Sequence, residues 1–346
     1  MPDWRSPESG LYAKIARSAA QRGDDDVAAC PGLVFSLSHF RRDPRAFYRT
    51  VREHCLWPGL AQRRQRRRRG KKGAEEEHGG GGADGATADD QHQEHNERED
   101  DDANADNDEA PFNTLPPTAA HHLLAALEER GMLLRAYTQN VDGLEHSAGV
   151  SDDCVVQAHG GFRQAHCAAC GVEASPYAVI EALLGGGGGE EAEDGEGEGA
   201  SGGDHHEEEP AVDAPLCASC GERAVKPDVV LFGERLPTRF HRLRLQDMPR
   251  CELLLVLGTA MAVEPFASLL AAPPLACARV LVNRVAVRED DFDFGKGMGR
   301  CRDALFLGEC DDGCLALAEA LGGAEMRAEV EARWRRRGVG EAAAGR

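Results

Sequence analysis

Apolar positions along this chain fall into short continuous runs alternating with stretches of helical spacing. The segment "PFNTLPPTAAHHLLAALEERGMLLRAYTQN" shows the alternation: Thr118 can cap a helix carrying Leu123, Leu124 and Leu127 that ends near Gly131, and "MLLRAYT" follows as a strand. "CELLLVLGTA" (251–260) predicts a buried strand, "ARVLVNRV" (278–285) another, and "DALFLGEC" (303–310) a short third, with "DGCLALAEALG" as a helix after it. "VLFGERLP" (230–237) has the pattern of an apolar strand stopping at glycine, with an edge that could pair with a peptide. Nearer the start, "DPRAFYRTVREHCL" predicts a helix with Asp43 as its cap and Pro44 in its first turn. Strands of this kind alternating with helices predict a parallel α/β sheet covered on both faces.

Two stretches break the pattern. From "QRRQRRRRGKK" (62–72) to Glu109 the chain is charge and glycine, and no packed core can be built from it, so residues 61–110 are expected to be a disordered insert. Its basic run has the composition of a nuclear import signal or polyanion tether, and equally of a solvated charge block. Residues 185–213 form a second, Gly/Glu-rich insert. These inserts explain the charge. The formal net of −20 falls mostly on residues 74–109, with fifteen Asp and Glu against one Arg, and on residues 190–213, with eleven and no base, which leaves about +5 elsewhere. The remainder is therefore not an acidic protein. No apolar run approaches the eighteen residues of a membrane span and no secretory signal is recognisable, so a soluble chain is expected.

Candidate chemistry lies at the ends of these elements. Twelve cysteines include Cys167-x-x-Cys170 and Cys217-x-x-Cys220. Four thiolates in two pairs have the pattern of a closed structural Zn2+ site, and the long gap between the pairs is mostly insert, which costs little to close. Free or redox cysteines are the bland alternative. His159, in "VQAHGGF" (156–162), follows a short apolar run and precedes two glycines, where an imidazole can meet a ligand as a base; a lone histidine is more often structural. Gly258-Thr259 and Asn283 fall where strands should end, the usual ligand position of an open α/β sheet. "YTQNVDGLEHSAG" (137–149) places two amides and a carboxylate at another strand end.

In order along the chain, "PDWRSPESGLY", "YTQNVDGLEHSAG", "VVQAHGGF", the two CxxC pairs, "KPDVVLFGE", "LLLVLGTAMAVEPFASL", "LVN" and "FLGECDDGC" resemble the sirtuin family of NAD-dependent protein deacylases, class I in particular. The resemblance implies a Rossmann-like domain and a smaller zinc-ribbon domain built on four cysteines, with NAD and an acyl-lysine peptide meeting in the cleft between them. It implies transfer of the acyl group to NAD, giving free lysine, nicotinamide and O-acetyl-ADP-ribose. Carried over position by position, His159 is the general base, and Gln139, Asn140 and Asp142 hold the nicotinamide and its ribose. Asp3, Trp4 and Arg5 match the loop over the cofactor. Gly258, Thr259, Asn283 and Cys310 match adenosine-side contacts, and Val230, Phe232 and Gly233 match the strand that pairs with substrate. Cys167, Cys170, Cys217 and Cys220 match the zinc ligands. Acetylated lysine peptides or proteins, histones among them, are the implied partners; neither a membrane nor direct nucleic-acid binding is expected, and the location is nucleus, cytoplasm or both.

The chain departs from the family in several places. Family members begin with a strand and a Gly-Ala-Gly-Ile-Ser loop that precede the block matched here by residues 2–12. The expectation is therefore a sheet lacking its first strand and phosphate loop, with an opening in the nucleotide fold and weakened NAD binding, through a truncated gene model or a degenerate protein; the other blocks favour truncation. Trp4 replaces the usual Phe, Ala260 a Ser, and Val285 an acidic residue. The expected boundaries are residues 1–60 and 111–158 for the first parts of the Rossmann-like domain, 159–233 for the zinc-binding domain, 234–322 for the last part of the Rossmann-like domain and 323–346 for a C-terminal tail. A catalytically impaired zinc-containing interaction protein is the alternative function, and mono-ADP-ribosyl transfer a third reading disfavoured by the peptide strand.

Overall fold

The structure is a computed structural model that describes residue 8 and residues 10–55, 115–184, 213–294 and 302–336. The insert at 61–110, nearly all of that at 185–213, and Asp3, Trp4 and Arg5 lie outside the described residues.

Four helices come first: α1 (Leu11–Arg22), α2 (Asp25–Ala29), α3 (Leu37–Arg42) and α4 (Pro44–Thr50). Each of the last three is capped by a side chain, from Asp24, Ser36 and Asp43, that accepts a main-chain N–H of the first turn. Helix α5 (Ala119–Glu129) starts at Thr118 in a capping box completed by His121. Strands β1 (Ala136–Thr138) and β2 (Val155–Gln157) pair in parallel. An antiparallel sheet follows, in the order β4-β3-β5, from β3 (Ala165–Cys167), β4 (Glu173–Ala174) and β5 (Val225–Pro227), with α6 (Pro176–Leu184) inside it in sequence. Helix α7 (Thr238–Asp247) leads into a parallel sheet of β6 (Leu253–Leu257), β7 (Ala278–Asn283) and β8 (Asp303–Leu307), and α8 (Cys310–Arg335) closes the chain.

The apolar side chains gather in separate cores, and these redraw two expected boundaries. Leu11, Ile15, Phe40, Phe47 and Tyr48 share one core with Ala165, Cys167, Leu183, Cys217 and Val225. Residues 11–55 thus pack into the zinc-binding unit, although the chain order had joined them to the parallel sheet; the Tyr48 hydroxyl confirms the attachment by donating to the Val225 carbonyl at 2.8 Å. At the other end, the helix runs past the expected limit at residue 322. It kinks at Gly323 (φ +72°), and Met326 and Val330 beyond the kink are fully buried against α5. Arg333 and Arg130 tie the two helices with ion pairs to Glu129 and Glu329.

Among the described residues the parallel strands form two separate sheets. There β1 and β6 each pair with another strand on one edge only, and both line a cavity of about 990 Å3. The expected burial of 251–260 is met only in part for this reason: of the β6 residues Val256 alone is buried, and Leu253 is 36% exposed.

Candidate functional site

The carboxyl ends of the strands bring together residues far apart in sequence. Gln139 and Asn140 follow β1, Gly258 and Thr259 follow β6, Asn283 ends β7, and Cys310 opens α8. The Thr259 hydroxyl donates to Gln139 Oε1 at 2.9 Å, linking the two sheets at this end. The Asn283 amide donates to the Thr259 carbonyl at 3.4 Å and the Val285 carbonyl at 3.0 Å. Gly258 sits at φ +58°, the left-handed conformation that turns the chain sharply at the strand end; an added Cβ would lie 3.7 Å from the Cys310 sulfur. Gln139, Asn140, Gly258, Thr259 and Cys310 all line the cavity. Asp142 does not. It is 5% exposed, accepts the Leu144 N–H at 3.3 Å, and is pushed up from the usual carboxylate range by burial.

His159 follows β2, and its Nδ1 lies 3.1 Å from the Gln139 carbonyl oxygen. A carbonyl only accepts, so Nδ1 carries the proton and Nε2 keeps its lone pair. Burial lowers the His159 pKa below the ordinary histidine value, with the Gln139 bond opposing in part. The imidazole therefore stays neutral at pH 7. Its position is fixed from behind: Gly160 has φ +67°, and a Cβ there would fall 1.8 Å from the Asp228 carbonyl oxygen. The Phe266 ring stands 6.4 Å from the imidazole, centroid to centroid.

The segment of Val230, Phe232 and Gly233 differs from its expected form. The regular strand lies earlier, at Val225–Pro227, and residue 232 makes only an isolated bridge to Ser36. Three successive N–H groups are already committed: Val230 donates to the His159 carbonyl, Leu231 to Glu234 and Phe232 to the Phe35 carbonyl. Gly233 then turns the chain away at φ +95°. The Phe232 side chain remains 58% exposed. This segment is thus a strap holding His159 against residues 35–37, and any peptide would have to pair with its remaining edge.

The four cysteines meet as their spacing predicts. Their sulfurs all lie within 4.8 Å of one another, with Cys167 to Cys220 at 3.7 Å and Cys170 to Cys217 at 3.6 Å. Zn–S bonds of about 2.3 Å in a tetrahedron require S···S edges of about 3.8 Å, so the donor set fits a structural Zn2+. The two knuckles are built alike: the N–H groups of Gly171 and Gly221 bond back to the carbonyls of Cys167 and Cys217, each glycine in the left-handed conformation.

Two features were not singled out in the sequence. Glu145 is 3% exposed, lines the cavity, hydrogen-bonds Thr138 through one oxygen and has no partner for Oε2 among the described residues. It stands inside the quoted 137–149 block, yet nothing in the pattern distinguishes it from a surface helix carboxylate. Asp247 receives the Tyr137 hydroxyl at 2.7 Å and Arg135 Nε at 2.8 Å, fastening α7 to β1. That contact spans more than a hundred residues and leaves no local signature.

Against known proteins, the Sir2 family model matches residues 85–265, just over half of the chain. The chain is 28% identical over 334 residues to the NAD-dependent protein deacetylase sirtuin-2 of Danio rerio, covering 93% of this chain and 64% of the relative. It is 31% identical over 287 residues to the NAD-dependent protein deacetylase SIR2rp1 of Leishmania major, covering 83% and 53%. With the NAD-dependent protein deacetylase hst2 of Schizosaccharomyces pombe it shares 28% over 322 residues, covering 93% and 68%. The chain thus spans just under two thirds of the first of these relatives and about half of the second. The family model, the parallel strands with chemistry at their carboxyl ends and the four-cysteine cluster agree: the chain belongs to the Sir2 family and has its Rossmann-like fold with a zinc ribbon.

Proposed function

We propose that this protein is an NAD-dependent protein-lysine deacetylase acting on acetylated proteins. The observation that carries the reading is His159, half-buried, neutral and locked with Nε2 free, at the carboxyl ends of β1 and β2 beside the Gln139–Thr259 pair. NAD, when bound, would supply the electrophilic ribose carbon and accept the acyl group. The chain's own residues would do the rest. The side-chain amides of Gln139 and Asn140 match a carboxamide in both donor and acceptor. Gly258, Thr259, Asn283 and Cys310 would take the adenosine side, and Asp3, Trp4 and Arg5 the loop above it. His159 Nε2 would receive the proton of a ribose hydroxyl. Acetyl-lysine would approach along the outer edge of Val230 to Gly233, next to the exposed Phe232. Asp142, set back and bonded to Leu144, would hold the turn that presents Asn140.

The relatives' names support this reading over an impaired interaction protein, since each is a deacetylase. Histones are one substrate class compatible with it, and the Arg run at 63–69 supports a nuclear share of the protein. The test is nicotinamide release from NAD with and without an acetyl-lysine peptide. Release is expected only with the peptide, and His159→Ala should lower it by about 100-fold or more. Equal release without peptide, or an unaffected His159→Ala, would refute the proposal.

A further inference from the structure

Helices α3 and α4 present a row of arginines to solvent. Arg41, Arg42 and Arg45 are exposed and Arg49 is half-buried. Arg45 and Arg49 stand one turn apart on the same face of α4. Arg41 and Arg42 end α3, no more than about 15 Å of chain before Arg45. Asp43, the one carboxylate in residues 37–50, is turned to the Arg45 main-chain N–H as the α4 cap. Among the described residues Arg42 donates to His39 Nδ1 at 3.0 Å, and no carboxylate pairs with Arg41, Arg42 or Arg49. Arg45 does hold one: its Nε lies 3.3 Å from Asp213 Oδ1, and Arg223 Nε lies 3.4 Å from Asp213 Oδ2. Asp213 is the residue at which the described chain resumes after Leu184. Leu184 ends α6 and is buried in the same core as Phe47 and Tyr48 of α4. Between these two anchors the sequence carries ten Asp and Glu at 190–209, and no Lys or Arg.

From this we infer that Arg41, Arg42, Arg45 and Arg49 form a docking surface whose occupant is the chain's own acidic stretch, residues 190–209. Glu207, Glu208 and Glu209 stand four to six residues before Asp213, a reach of up to about 14–22 Å. Arg49 is only about 6 Å along the helix from Arg45. One exposed ion pair contributes little. Here the tether raises the effective concentration to about millimolar, and many carboxylates share four guanidiniums, so the stretch is held without any single pair being fixed. The other acidic stretch, 74–109, follows the basic run 62–72 and has cations nearer to it in the chain. The occupant stands where a polyanion from outside would bind, so it closes the row to nucleic acid. The inference rests on charge and connectivity and not on the deacetylase reading, so its test does not use activity.

Two measurements on the full chain test it. In Arg41→Lys and in Arg49→Lys the new amine can be joined by a carbodiimide to a carboxylate in contact with it, with loss of one water. The links, read by mass spectrometry on the monomer fraction, should run to residues 190–209 and fall about tenfold at 1 M salt, where the screening length is about 3 Å. The second measurement is binding of a fluorescein-labelled oligothymidylate of about twenty nucleotides at low salt. Glu→Gln and Asp→Asn at all ten acids of 190–209 should strengthen binding by about tenfold or more. Adding Arg41→Ala, Arg42→Ala and Arg49→Ala should reverse that gain, while the same three changes in the parent should alter binding by less than about twofold. Links that run mainly to 74–109, that miss the acidic stretches, or that occur only between two copies overturn the inference. So does an absent gain on neutralisation, or an equal effect of the three arginine changes in both backgrounds, since the row would then be open in the parent.

Discussion

The His159 imidazole shows what a single residue gains from its surroundings. The Gln139 carbonyl fixes the tautomer, and burial keeps the ring neutral by penalising its charged form. The pKa is displaced downward, so the neutral form is present at pH 6.5 and above and is lost only as the pH falls through the lowered value. A proton acceptor of this kind gives activity that is flat near neutrality and declines on the acid side below about 6.5. Two measurements check it. The ring proton resonances of His159 should titrate with a midpoint below that of an exposed histidine, and the acidic limb of the acetyl-peptide-dependent rate should follow the same midpoint. A midpoint at or above about 6.5 would mean that the ring is solvated or faces an unrecognised negative charge. Gly160 carries the same argument into the backbone, because no side chain fits where the Asp228 carbonyl presses against it.

At the scale of elements, α8 is the instructive case. Its second half beyond Gly323 packs on α5 through Met326 and Val330, both fully buried. Truncating Met326 to alanine removes packed apolar volume and should cost about 2–5 kcal/mol. The exposed neighbour Glu325→Ala should stay within about 0.5 kcal/mol. Urea midpoints of the two variants at unchanged slope would check the pair, and equal midpoints would show that this half-helix is not part of the folding unit. The sequence pattern stopped at residue 322 because two glycines and a run of Ala, Glu and Arg conceal the spacing of Met326 and Val330. Elements with strong local signals were legible: the capped starts of α4 and α5, the positions of β7 and β8, and both cysteine knuckles. What failed were features decided by distant partners. Val230 to Gly233 has the composition of a strand, yet its N–H groups are consumed by His159, Glu234 and Phe35. Site residues at strand ends could be found from the turn glycine and the polar residue after an apolar run, whereas Glu145 and Asp247 matter only through contacts that folding creates.

For the whole molecule the decisive fact is that the apolar cores are distinct. One holds α1 to α4, α6 and the zinc-binding strands; the others lie on either side of β6 to β8 and about α5. The first carries two buried metal-site cysteines, Cys167 and Cys217, among its own members. Metal binding there is folding free energy for that core, since four thiolates held within 4.8 Å repel one another once they ionise without a cation. The helices of residues 11–55 depend on it through Phe47, Tyr48 and the Tyr48–Val225 bond, although they lie more than a hundred residues earlier in the chain. Removing zinc with a strong chelator is therefore expected to open two distant stretches together, 11–55 and 165–227, and to leave β6 to β8 and the α5–α8 pair protected. Exchange measured by mass spectrometry on peptides from each region would resolve this, alongside a metal content of about one zinc per chain before treatment. If residues 11–55 kept their protection while the knuckles opened, those helices would draw their stability from the parallel sheet; if every region opened at once, the cores would be one cooperative unit despite their separate packing.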